Sequence, residues 1–134
     1  EKMSINHDDL LVNIKRQAKR LSKSLDIPLG QAQEMLAHVV YDCNGYGDLI
    51  SSIKATSFKN ECLPLAALHP KADVFLFKLL YTHLNNIADR LEEKLVNKKI
   101  NEEAKNITFN IFAIEQTDFE RKIKQISYKL YRYV

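Results

Sequence analysis

The sequence predicts an all-α fold of about six helices, with an N-terminal three-helix unit of helix-turn-helix type followed by a bundle of longer helices. Apolar residues return at spacings of three and four along most of the chain. Only three glycines and three prolines punctuate its 134 residues, too few turn formers for a sheet sandwich. A chain of this length also buries a core without disulfides or metals. We read a single domain over residues 1–134, with a basic three-helix unit at 7–56, a connector at 57–70, and a long-helix bundle at 71–134 that offers a dimerisation surface.

The first helix follows from Leu10, Leu11, Ile14, Ala18, Leu21 and Leu25, which share one side, while Lys15, Arg16, Lys19, Arg20 and Lys23 share the other. Asp8 and Asp9 stand near its start and the lysines toward its end, as the helix dipole favours. The run "DIP" should stop it, because Pro28 disfavours helical geometry in the residue before it.

A second helix is expected from about Leu29 to Cys43, with Ala32, Leu36, Val39, Val40 and Cys43 inward and Gln31, Gln33, Glu34, His38 and Asp42 outward. "NGYG", Asn44 to Gly47, reads as a turn whose glycines and asparagine take positive φ. A third helix, from about Asp48 to Thr56, buries Leu49, Ile50 and Ile53 and exposes Ser51, Ser52 and Lys54. The connector "TSFKNECLPLAALHPK" carries two prolines and a short helical turn around Leu65 to Leu68.

From Lys71 to Lys99 one long helix is expected, its stripe formed by Ala72, Phe75, Leu76, Leu79, Leu80, Leu84, Ile87, Leu91 and Leu95. Its first half is apolar nearly all round, with Val74, Phe77 and Tyr81 on the other side, and should be buried. "ITFNIFAIE" has strand-like composition, yet Ala104, Ile107, Ile111 and Ile114 fit a helical face and no second strand is available, so a helix is expected. "TDFE" reads as a capping box in which Thr117 and Glu120 satisfy each other's backbone donors. The last helix then packs Phe119, Ile123, Ile126 and Leu130 inward.

Catalytic signatures are missing: the sequence has no glycine-rich phosphate loop, H-E-x-x-H, C-x-x-C or G-x-S-x-G. We expect no enzyme, no cofactor and no small-molecule substrate. His38, Cys43, Cys62 and His69 lack the close ligand pairs, about two to four residues apart, of a zinc site, and Cys43 continues an apolar stripe as a buried thiol would. Two cysteines without a secretory signal fit a reducing cytoplasm. The most apolar segment, "DVFLFKLLYTHL", is interrupted by Lys78 and His83 and is shorter than the roughly 20 residues a bilayer span needs, so a soluble protein is expected.

Charge is the informative feature. The net +3 is modest, but Val12 to Leu25 holds five basic residues and no acid, and Arg121 to Val134 holds five more and again no acid. A helix with five cations on one side can track a phosphate backbone, although a single basic helix is more often a solvated face. In the C-terminal segment Tyr128, Tyr131 and Tyr133 interleave with Lys124, Lys129 and Arg132, a composition that serves base stacking or an interface. An apolar-striped terminal helix of this kind favours pairing with a copy of itself. On a helix-turn-helix geometry Ser51, Ser52 and Lys54 reach toward bases, with Lys59 and Asn60 near phosphate. An ordinary three-helix unit has the same pattern.

The succession "IKRQAKRLSKSL", "IPLGQAQEMLAHVV", "GYGDLISSI" resembles a small helical module found beside glyoxalase-superfamily domains and in proteins of phages, plasmids and phage satellites. Ala18, Lys19, Leu21, Gln31, Ala32, Glu34, Ala37, Gly45, Tyr46, Asp48 and Leu49 match its pattern. Two departures are the insertion-like "YDCN" before Gly45 and Leu49 in place of a frequent tryptophan. The likeness covers about Asn13 to Ile53, under a third of the chain, and no metal-binding glyoxalase half follows. It implies a nucleic-acid-binding module of a mobile element, similar to the N-terminal domains of satellite replication initiators and related repressors.

The combined expectation is a homodimeric double-stranded-DNA-binding domain of a replication initiator or transcriptional regulator. Lys15, Arg16, Lys19, Arg20 and Lys23, with Lys59, would contact phosphate, and Ser51, Ser52 and Lys54 would read bases. The alternative is a protein-interaction adaptor or inhibitor that takes an acidic or helical partner on the same basic face.

Overall fold

The computed structural model describes residues 7–55, 60–95 and 101–132, and among them the side chains of 8–55, 60–95 and 103–126. The described residues form α1 (His7–Leu25), α2 (Leu29–Val39), α3 (Tyr46–Ala55), a 3-10 turn (Leu63–Ala67), α4 (Val74–Lys94), α5 (Asn101–Ile111) and α6 (Gln116–Arg132), with no strand among them. The protein is all-α. It divides into two compact units, Glu1–Ala67 and Leu68–Val134.

In the first unit α1 packs against α2, α3 and the 3-10 turn. Ile14, Ala18 and Leu21 of α1 are buried together with Ala32, Leu36 and Ala37 of α2 and Leu49 and Ile53 of α3. Burying each Leu or Ile contributes about 1.5–3 kcal/mol. Gln17 joins this core at 1% exposure and Tyr41 at 0%. The Tyr41 hydroxyl donates to Gln17 Oε1 at 2.7 Å, and Gln17 Nε2 reaches the Leu65 carbonyl at 3.4 Å. Asn13 Nδ2 donates to the Ala66 carbonyl at 3.0 Å. The expected connector is therefore no bare linker, because its 3-10 turn is fastened to α1 by two side-chain amides.

Helix endings differ from expectation in an instructive way. Before Pro28 can act, α1 is closed by Asp26, which takes the left-handed conformation at φ 56°. The Ile27 N–H returns to the Ser22 carbonyl at 3.1 Å, the six-to-one bond of a Schellman motif. α2 ends at Val39 rather than Cys43, and the chain reverses at Asp42, φ 54°, with the Cys43 N–H on the Ala37 carbonyl at 2.8 Å. None of the glycines has positive φ, which corrects the reading of "NGYG". Gly45 answers a different need: a Cβ there would lie 3.0 Å from Glu34 Oε1.

In the second unit α4 packs against α5 and α6. α4 begins at Val74, capped by Asp73 whose Oδ1 accepts from the Phe75 N–H at 3.4 Å. It ends at Lys94, because Leu95 turns to ψ 95°; the expected continuation through residues 96–99 lies outside the described residues. Phe77, Leu80, Leu84, Ile87, Ala88 and Leu91 are its buried stripe. The expectation of a first half buried all round is overturned: Val74, Phe75 and Tyr81 are 53%, 59% and 60% exposed. Phe77, read as lying off the stripe, is instead 1% exposed, its ring 6.2 Å from Phe119, which also meets Phe109 at 5.1 Å. The Lys122 ammonium sits 4.6 Å above the Phe77 ring and donates to the Pro70 carbonyl at 3.0 Å.

"ITFNIFAIE" enters the helix α5, which closes with Ala113 at φ 57° and the Ile114 N–H on the Phe109 carbonyl at 3.1 Å. The capping box at Thr117 does not form. α6 starts one residue earlier, and Glu120 accepts from Gln116 Nε2 at 3.1 Å instead, while Asp118 pairs with Arg121. The side chain of Leu130 lies outside the described residues.

Candidate nucleic-acid interface

α1 presents its cations as the core demands. With Ile14, Gln17, Ala18 and Leu21 turned inward, a helix advancing about 100° per residue puts Val12, Lys15, Arg16, Lys19 and Lys23 within an arc of about 100° on the far side. These five side chains are exposed. Lys15 and Lys23 are about 12 Å apart along the axis. Among the described residues no carboxylate pairs with Lys15, Arg16, Lys19 or Lys23. Arg20 lies at the edge of the arc and is partly buried, so desolvation, followed by the Arg16 charge, lowers its pKa from the usual arginine range. Val12, 44% exposed, stands in the midst of the cations.

The three residues expected to read bases lie on α3 but not all on its surface. Ser51 and Lys54 are exposed, and Ser52 is half-buried. Lys59 lies outside the described residues. Asn60, expected near phosphate, is instead used by the fold, its Nδ2 donating to the Tyr41 carbonyl at 2.8 Å and its Oδ1 accepting from the Cys62 N–H at 2.8 Å. The side chains of Tyr128, Lys129, Tyr131, Arg132 and Tyr133 also lie outside the described residues.

Sequence reasoning did not foresee the carboxylates at the start of α3. The Tyr46 N–H donates to Glu34 Oε1 at 3.2 Å, and the Asn44 N–H donates to Asp48 Oδ2 at 3.0 Å. Both acids lie at the positive end of the helix dipole and satisfy backbone donors there. With exposed Asp42 they make the α2–α3 corner acidic, whereas α1 is basic. The signal was present, since Glu34 and Asp48 are both among the residues on which the resemblance rests. Of the other matching residues, Ala18, Leu21, Ala32, Ala37 and Leu49 are buried and serve packing, whereas Lys19 and Gln31 are exposed.

Both cysteines are free and buried, and burial pushes the Cys43 thiol up to about 11. Among the described residues no group of three or more His, Cys, Asp or Glu is placed to hold a metal ion. No helix among them is long and apolar enough to cross a membrane. No family model, curated protein or solved structure matches this chain.

Proposed function

We propose that the first unit binds double-stranded DNA through the outer face of α1. The observation that carries this reading is the exposed set Lys15, Arg16, Lys19 and Lys23, free of carboxylate partners among the described residues and set on a helix locked by the buried Gln17–Tyr41 pair. Such a face releases counterions from a duplex and binds it in a strongly salt-dependent way. The likeness to mobile-element modules supports a role in replication initiation or transcriptional regulation, and the tyrosine-rich C-terminal segment supports a homodimer. In a dimer, two α1 faces about 34 Å apart would match one turn of duplex.

The test is fluorescence anisotropy with random-sequence duplex at low and near-physiological salt. The expected result is affinity of about 10⁻⁴–10⁻⁶ M that falls steeply with salt, and each of Lys15→Ala and Lys19→Ala should reduce the log–log slope by about 0.9. Absence of binding at low salt would remove DNA as the partner.

One observation favours a second reading, an adaptor or inhibitor that takes an acidic amphipathic helix. Val12 offers an apolar contact among the cations, which a phosphate backbone does not use and a partner helix does. Val12→Ser separates the two: duplex affinity should be unchanged, whereas binding of a helical partner should weaken.

A further inference from the structure

We infer that the duplex is bound by its backbone alone: α1 tracks phosphates without selecting sequence, and α3 enters no groove. The inference rests on the duplex-binding reading above and adds the mode of recognition.

In helix-turn-helix readers the N-terminal residues of the second helix meet base edges, and phosphates flank that end. Here carboxylates already stand at that end of α3. Glu34 Oε1 and Asp48 Oδ2 accept the N–H groups of Tyr46 and Asn44 at 3.2 and 3.0 Å. The free backbone donors that would otherwise attract phosphate are thus partly consumed by carboxylates, and exposed Asp42 adds a third negative charge beside them. Gly45 lets the Glu34 carboxylate approach this closely, since a Cβ there would lie 3.0 Å from Oε1. A groove lined by phosphates would meet a cluster of acids.

Charge counting agrees. The first unit, Glu1–Ala67, carries eight Lys and Arg against eight Asp and Glu. It is neutral overall, with five of the eight cations on α1 and with Glu34, Asp42 and Asp48 at the α2–α3 corner. A body with that distribution turns α1 toward a polyanion and the corner away. Where lysines and arginines meet only phosphate oxygens, they position a protein on the backbone and carry no base code.

The experiment uses the full chain and three variants. A pool of random 20-base-pair duplexes is taken through repeated rounds of capture, and the retained sequences are read. Gly47→Glu adds a charge on the exposed start of α3 at a position where a Cβ meets nothing within 4 Å and φ is not positive. Lys19→Glu reverses the centre of the α1 face, and Lys19→Arg restores its charge. The expected result is no enriched motif, affinity of Gly47→Glu within about twofold of the parent, loss of about tenfold or more for Lys19→Glu on every duplex, and recovery by Lys19→Arg. An enriched motif, or a tenfold loss from Gly47→Glu while the variant stays folded by circular dichroism, would overturn the inference and leave duplex binding standing. Failure to retain any duplex at low salt would overturn both.

Discussion

The hydroxyl of Tyr41 donates to Gln17 Oε1 at 2.7 Å, with both side chains out of contact with water. This bond joins the chain just beyond α2 to the middle of α1, and Gln17 then passes the connection to Leu65 of the 3-10 turn. A buried polar pair of this kind contributes modestly when complete and costs more when broken.

Tyr41→Phe should therefore cost about 1–3 kcal/mol, because it leaves Gln17 Oε1 buried without its donor. Adding Gln17→Met should recover part of the loss, measured by urea unfolding. Tyr46 makes the opposite case: its hydroxyl is buried with no hydrogen-bond partner among the described residues, so Tyr46→Phe should be neutral or stabilise by up to about 1 kcal/mol. Equal losses from the two substitutions would contradict this assignment.

Replacing the left-handed residues by glycine should stabilise. Ala113 holds φ 57° at the end of α5 with no side-chain polar group to compensate, and an L-residue costs about 1–2 kcal/mol there relative to the right-handed region. After glycine's larger unfolded-state entropy is subtracted, Ala113→Gly should gain roughly 0.5–1 kcal/mol in thermal or urea unfolding. A loss of stability would mean that Ala113 does not hold that conformation in solution.

Alkaline pH should destabilise the first unit through its buried thiol and phenol. Burial, then the nearby Asp48 and Asp42 charges, raises the Cys43 thiol from 9.0 to about 11, and burial raises Tyr41 well above the ordinary tyrosine value. A group whose folded pKa exceeds its unfolded one contributes stability that is complete below the unfolded value and is lost as pH rises through the folded one. Unfolding free energy should thus be flat up to about pH 9 and fall between 9 and 11, with a shallower fall in Cys43→Ala. A Cys43→Ala profile parallel to the parent's would exclude the thiol.

On α4 the two neighbouring aromatics should behave oppositely. Phe77→Ala removes a ring packed on Phe119 and under the Lys122 ammonium and should cost about 3–5 kcal/mol. Phe75→Ala, at a position 59% exposed, should stay within about 0.5 kcal/mol. Similar costs for both would show that the face carrying Phe75 is covered in solution.

The spacing of Ile14, Ala18 and Leu21 made α1 legible, and with it the basic arc, because any helix that buries those positions must turn Lys15, Lys19 and Lys23 to water. The same logic failed for the first half of α4, where apolar residues surround the helix and periodicity offers no single face. Only the placement of Phe119 and Phe109 decided that Phe77 goes inward and Phe75 outward. Composition also suggested that glycine would take the left-handed turns. The structure gives them to Asp26, Asp42 and Ala113, since the position of a reversal depends on where a helix must stop to pack, and an aspartate or alanine tolerates that geometry at moderate cost.

The sequence by itself determined the all-helical class, the approximate helices and the segregation of cations onto one side of α1, because these follow from local periodicity and from charges adjacent in the chain. The tertiary structure decided what lies far apart in sequence: Gln17 against Tyr41 and Leu65, Glu34 against Tyr46 across the α2–α3 turn, and the fastening of the 3-10 turn to α1. Those contacts depend on how the helices pack, which a one-dimensional pattern does not encode. They also bring the Glu34 and Asp48 carboxylates onto backbone donors at the start of α3.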